Sequence, residues 1–315
     1  MEGPKALYVE ELLELFKSRG MDIKETDIEK IKHINYYKLK EFAHPLSKTS
    51  KANGVVKISY EGVTFQEVLR RYYQDKNLRL NLLHAIEKIE VSIKTTLSHL
   101  MGLKYGAFGY LNFGNWVHRT KYGKFEIETR QYRLKKSILK SIEKQSSAEF
   151  NIVANMDSDG FPTIWLAIDI LTFGDIVVML ELMNSSLLSQ IADEYSATSE
   201  EFLSWVKCLH FIRNICAHNS NLIDVKLKTK PKLRKNWMEH LYFIQSKKGN
   251  AKTPTNRFAA VICIAIYLVK TINPKYKLDH ISKGIKSLCN NSEDRANLLG
   301  FKSLNDAKKV CDYIN

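Results

Sequence analysis

The feature that most constrains this chain is a run of apolar residues spaced by threes and fours: Leu78, Leu82, Ile86, Ile89, Ile93, Leu97 and Leu100. That spacing is one stripe of an α-helix, and it predicts a single amphipathic helix from about Lys76 to Leu103. The period recurs along the chain. Ile127, Leu134, Ile138 and Ile142 predict a helix over about Lys124–Gln145. The apolar stretch after Pro162, a residue suited to a first turn, predicts another that runs to Met183. Thr198-Ser199-Glu200-Glu201 supplies a capping box. It opens a helix that carries Phe202, Trp205, Val206, Leu209, Ile212 and Ile215 to an end near His218. Strand signal is confined to Val55-Val56-Lys57-Ile58, one arm of a short hairpin. With only 14 Gly and 6 Pro in 315 residues, a turn-dense β protein and a Gly-rich nucleotide-binding sheet are both disfavoured. The expected fold is therefore all-α with at most one short β-hairpin. Residues 1–60 form an N-terminal helical appendage, 61–245 the helical core, and 246–315 a C-terminal helical segment after a polar linker, Gln245–Asn256.

Charge narrows the choice of partner. Lys and Arg number 48 against 34 Asp and Glu, a formal charge of +14, which favours polyanions. The five cysteines, Cys208, Cys216, Cys263, Cys289 and Cys311, are odd in number and widely spread, as expected of reduced intracellular thiols. The first residues, rich in glutamate, do not read as an export signal. The longest apolar run, Phe258–Val269, stops at Lys270, too short for the roughly 20 residues that a membrane-spanning helix needs. The sequence thus predicts a cytoplasmic protein with no membrane partner and a buried helix after residue 257.

Several chemistries lack their residues. There is no G-x-x-x-x-G-K-[ST] loop and no G-x-G-x-x-G. Asp157-Ser158-Asp159-Gly160 begins like a calcium loop, but Ile168 stands where the closing Glu belongs, so it reads as a turn. Cys208, His210, Cys216 and His218 imitate a zinc pattern on one helix. At about 100° per residue their directions spread all round the axis, and a tetrahedral site needs convergence. No metal and no cofactor is expected, and Cys208 and Cys216 read as small core residues.

More informative is Arg213-Asn214-Ile215-Cys216-Ala217-His218 at the end of that helix. Arg is a permanent forked donor to phosphate oxygens, and His moves protons near neutral pH. The two together are the components of metal-free RNA cleavage. The spacing by itself is unspecific. Arg79 with His84 and Arg234 with His240 repeat it, although His84 reads equally as a tucked or solvated residue of the long helix, and Arg234 follows a basic run without the small polar neighbour that Asn214 provides.

Context separates the three. The sequence from Phe202 to Asn219 resembles the AbiD- and AbiF-type abortive-infection family, a branch of the HEPN superfamily of helical RNA-processing proteins. Other stretches follow in that family's order: Asn35-Tyr36-Tyr37-Lys38-Leu39, Tyr72-Tyr73-Gln74-Asp75-Lys76-Asn77-Leu78-Arg79 and Ala85-Ile86-Glu87-Lys88-Ile89-Glu90. Tyr105-Gly106, Phe161-Pro162-Thr163-Ile164-Trp165 and Leu171-Thr172-Phe173-Gly174 complete the series, which spans about residues 30–240. The resemblance implies a HEPN-like helical bundle that pairs as a homodimer. It implies that Arg213 stabilises the scissile phosphate, His218 transfers protons and Asn214 positions them. It further implies an antiphage endoribonuclease toxin, and a structured non-coding RNA as a possible regulator beside the RNA substrate. The competing expectation is a non-catalytic protein that holds such an RNA. Many relatives continue after the His with another His and an Arg, where this chain has Asn219 and Asn221.

Directly beyond lies Lys226-Leu227-Lys228-Thr229-Lys230-Pro231-Lys232-Leu233-Arg234-Lys235. Pro231 breaks any helix there, which predicts an exposed loop. Lys226, Lys228, Lys230, Lys232, Arg234 and Lys235 are expected to contact phosphates, adding salt-sensitive affinity without base choice.

Overall fold

The chain enters through three short helices, α1 (Val9–Lys17), α2 (Ile28–Ile31) and α3 (Tyr36–Ala43), then a hairpin of β1 (Lys48–Ala52) and β2 (Val55–Ser59). The computed structural model describes residues 6–52, 55–245 and 252–314. The hairpin is antiparallel, with Lys48 opposite Ser59 and Ala52 opposite Val55. Phe16 of α1 is fully buried and sits against the rings of Tyr36, Tyr60 and Phe65, which fastens these first elements to the start of the next helix.

That helix is α4 (Phe65–Tyr105), of 41 residues and thus about 60 Å long. Thr64 caps it: the hydroxyl accepts from the Glu67 amide at 3.2 Å and the Glu67 carboxylate accepts from the Thr64 amide at 3.1 Å. The helix begins a full three turns before the expected Lys76, because Phe65, Val68 and Leu69 extend the buried stripe. The stripe then runs through Leu78, Leu82, Ala85, Ile86, Ile89, Ile93, Leu97 and Met101, all essentially inaccessible.

Helix α5 (Lys124–Ile142) lies on the surface and buries only Leu134 and Ile138. The apolar stretch after Pro162 is two helices, not one: α6 (Ile164–Ile170) and α7 (Phe173–Leu182). The break is a second capping box. Thr172 Oγ1 accepts from the Asp175 amide at 3.2 Å, and the Asp175 carboxylate accepts from the Thr172 amide at 3.0 Å. A capped start outcompetes continuation, because it satisfies backbone donors that the turn exposes. Then come α8 (Ser185–Asp193) and α9 (Ser199–Ala217), the latter opened by the expected Thr198–Glu201 box.

After a long loop, α10 (Lys235–Met238) leads to a second small hairpin, β3 (Phe243–Gln245) with β4 (Lys252–Pro254). One hairpin at most was expected. The aromatic Phe243 and β-branched Ile244 pair with Pro254 and Thr253 of the expected polar linker. Half of that linker, residues 246–251, falls outside the described residues. Helix α11 (Phe258–Ile272) is buried at every position from Phe258 to Val269 and packs on α4 and α9. Helices α12 (Asp279–Cys289), α13 (Glu293–Leu299) and α14 (Leu304–Tyr313) close the far side, with α12 against α4. Among the described residues, no helix is long and apolar enough to cross a membrane.

Candidate functional site

The C-terminal end of α9 is built by backbone chemistry. His218 is the last residue in near-helical conformation, and Asn219 turns left-handed with φ +55°. The Ser220 amide then reaches back to the Ile215 carbonyl at 3.0 Å, as in a Schellman stop. Asn is among the few side chains that tolerate this region, which accounts for an asparagine at 219.

The long helix grips that end. Arg79 Nη1 donates to Asn219 Oδ1 at 2.8 Å, and its Nε donates to Asp75 Oδ2 at 2.6 Å. The other oxygen of Asp75 accepts from the Leu222 and Ile223 amides at 2.8 and 3.0 Å. Burial pushes the Asp75 carboxyl up, while the Arg79 guanidinium and the two amides pull the other way. One helical turn earlier, Arg71 pairs with Asp224, whose second oxygen accepts from Asn221 at 2.8 Å. Asn219 and Asn221 therefore hold the loop, and their side chains are engaged within the fold.

Arg213, Asn214 and His218 occupy different sides of this end. Arg213 faces α4, where its Nε lies 3.8 Å from Glu90 Oε2; its side chain is 40% exposed and that of Glu90 only 13%. Lys94 holds the same Glu90 at 3.3 Å. An ion pair of this length with a partly exposed arginine binds weakly, so the guanidinium is oriented but exchangeable. Asn214 Nδ2 meets His210 Nε2 at 3.1 Å. The His210 ring sits edge-on to Phe173 and over Gly174, where an added Cβ would come within 3.1 Å of Nε2. Burial and the Arg213 cation hold His210 below the usual histidine range, opposed by Glu90 and Asp175. The neutral ring so favoured accepts from Asn214 and fixes that amide. His218 is exposed, and among the described residues its imidazole makes no hydrogen bond. Five residues of helix separate it from Arg213 by about 140° of rotation. No hydrogen bond or ion pair joins the two within the described residues of one chain.

The rival pairs have other work. Arg79 is the buried clamp above, and His84 bonds the Tyr276 hydroxyl at 2.7 Å. His240 bonds Asp306 at 2.8 Å and stacks on Tyr313. Cys208 and Cys216 are buried, which pushes both thiols up to about 12.

The basic run divides. Lys226, Lys228, Lys230, Lys232 and Lys235 are exposed, while Leu227 and Pro231 between them are buried. Arg234 departs from the expected phosphate contact. Its guanidinium lies among Trp205, Trp237 and Tyr267, at 5.1, 5.6 and 4.2 Å from their ring centroids. It also donates to Glu201 at 3.2 Å and to the Ser196 carbonyl. A planar cation caged by three rings is a packing element.

Glu90, His210 and Asp75 carry no mark in the sequence as site residues, and Arg79 stands there only as half of a rival Arg–His pair. For His210 the available signal was its place one helical turn before Asn214.

This is an all-α bundle in which a central helix clamps the end of another that displays an arginine, an asparagine and a histidine. The family model described as Abi-like protein matches residues 29–224, more than half of the chain, and the chain belongs to that family. Membership points to abortive-infection defence. The matched stretch ends at Asp224, so it includes the clamped helix end and excludes the lysine run. No curated protein and no solved structure matches the chain.

Proposed function

We propose that the protein is a metal-independent endoribonuclease of antiphage defence, of the HEPN kind, acting in the cytoplasm as a homodimer. The reading rests on one observation above the others: Arg213 and His218 are both reachable from solvent at a helix end that α4 holds rigid. In the reaction, a ribose 2′-hydroxyl loses its proton and its oxygen bonds to phosphorus. The P–O5′ bond breaks and the 5′-oxygen gains a proton, leaving a 2′,3′-cyclic phosphate and a 5′-hydroxyl. His218 supplies proton transfer, and the Arg213 guanidinium neutralises the extra charge on the crowded phosphate. Asn214, fixed by His210, orients either partner. A second copy of the helix end brings an Arg213 to face a His218, since one helix points them apart. A toxin of this kind needs restraint, and a structured non-coding RNA on the exposed lysines fits that role.

The 140° divergence within one chain also favours a second reading, a protein that holds structured RNA without cutting it. Purified protein incubated with total RNA separates the two. Cleavage that leaves cyclic phosphate ends, resists EDTA and disappears in Arg213→Ala and in His218→Ala supports the enzyme. RNA that is bound intact by parent and variants alike leaves only the binder.

A further inference from the structure

Along α9 from Glu200 to Phe211, between that helix and the lysine loop, runs a cleft of about 580 Å³. Leu203, Cys208 and Phe211 line the α9 wall, and Leu227, Lys228 and Lys230 the other. The loop wall is pinned at both ends. Asn256 donates to the Leu227 carbonyl at 2.8 Å and accepts at its own carbonyl from the Leu227 amide, also at 2.8 Å. Lys232 donates its amide to Ser204 at 3.0 Å, and its carbonyl accepts from Trp205 Nε1 at 2.6 Å. The cleft is therefore preformed, with an apolar floor and a cationic rim. Two other rim lysines face carboxylates, Lys207 on Glu181 and Lys232 on Glu200. Lys228 and Lys230 make no ion pair among the described residues, and Phe211 is 38% exposed.

A bare phosphate would leave the floor unused, and an apolar ligand would leave the lysines unused. A flat apolar ring with an anionic link on either side uses both, which describes an unstacked base of a single strand. Position favours the same ligand. Phe211 and His218 are seven residues apart, two turns of α9, so they share one face within about 20° and lie about 10 Å apart along the axis.

We propose that this cleft is a nucleotide subsite. It takes one base of a single-stranded RNA against Phe211, with the flanking phosphates on Lys228 and Lys230, and so selects which linkage reaches His218. Only the last clause rests on the ribonuclease reading.

Fluorescence anisotropy of a labelled single-stranded oligoadenylate with the full chain at low salt tests the subsite. Phe211→Ala is expected to weaken binding by about 5- to 100-fold, the effect of one lost base stack, and Phe211→Trp to restore it. Lys228→Glu with Lys230→Glu should lower the salt slope by roughly 0.7 for each phosphate that is no longer neutralised. Thermal melts and light scattering on each variant report folding and oligomeric state. A folded Phe211→Ala protein that binds like the parent overturns the inference. So does a change of oligomeric state at unchanged RNA affinity, which would make the cleft a contact between copies, or failure of the parent to bind. The expected binding pattern without any cleavage leaves the subsite standing and removes the ribonuclease. Cleavage of unchanged site preference in Phe211→Ala does the reverse.

Discussion

Arg79 of the long helix and Asn219 of the loop after α9, 140 residues apart in sequence, are joined by a hydrogen bond of 2.8 Å. The bond makes the terminus that carries His218 a fixture of the core. Without it, a left-handed residue after a helix would fray. Asp75 completes the clamp by holding Arg79 and two amides of the same loop.

Breaking the clamp from its charged side should be costly. Arg79→Met strands a buried carboxylate and is expected to destabilise by about 3–5 kcal/mol, whereas Asn219→Gly keeps the left-handed turn and loses about 1 kcal/mol. Urea unfolding measures both. Equal stability of Arg79→Met and the parent would show that the clamp carries no weight.

Substitutions at the exposed end should separate function from stability. Arg213→Ala and His218→Ala are expected to shift stability within about 0.5 kcal/mol while lowering RNA cleavage by about 10²–10⁴-fold for the loss of proton transfer at His218. Growth of an expressing host gives the same answer through loss of toxicity. Retention of either activity in His218→Ala sinks the catalytic assignment.

His210 gives a pH signature. Its folded value lies below its ordinary 6.5 because burial, and then Arg213, disfavours the cation. The unfolded chain therefore binds the proton more readily at mildly acidic pH. The contribution of His210 to stability is whole above pH 6.5 and declines as pH falls through 6.5 toward the folded value. Titration by NMR should place His210 below 6.5, and His210→Gln should flatten this part of the stability profile. A titration at or above 6.5 contradicts the arrangement with Asn214.

The basic run should split by salt dependence and by stability. Lys226→Glu, Lys228→Glu and Lys235→Glu are expected to weaken RNA binding at low salt with no change in thermal midpoint. Arg234→Ala should instead lose about 2 kcal/mol or more, as an aromatic cage loses its cation. If Arg234→Ala melts like the parent and loses only RNA affinity, the cage reading is wrong.

Most of the helices were legible from local signals. The Thr198–Glu201 box and the apolar run at Phe258 each became an element at the place expected, and the stripe Leu78–Leu100 became the body of α4. The two boundaries that differ from expectation carry signals of the same kind. Thr64–Glu67 starts α4 early, and Thr172–Asp175 splits the stretch after Pro162. For the site, the sequence pointed to Arg213, Asn214 and His218, and was silent about their surroundings. Arg234 looked like its lysine neighbours because charge is visible in a sequence and a ring of aromatic side chains from three segments is not.

By itself, then, the amino-acid order determined the all-α class, the helix that ends at His218 and the family resemblance. Each depends on residues within a few turns of one another, where periodicity and capping act. Tertiary structure decided which charges are spent and which are free. It buried Arg79 and Arg234 against distant partners, left Arg213 loosely leashed to Glu90, and opened a cleft beside Phe211. Those outcomes depend on desolvation and on contacts between segments far apart in the chain, and no local pattern encodes either.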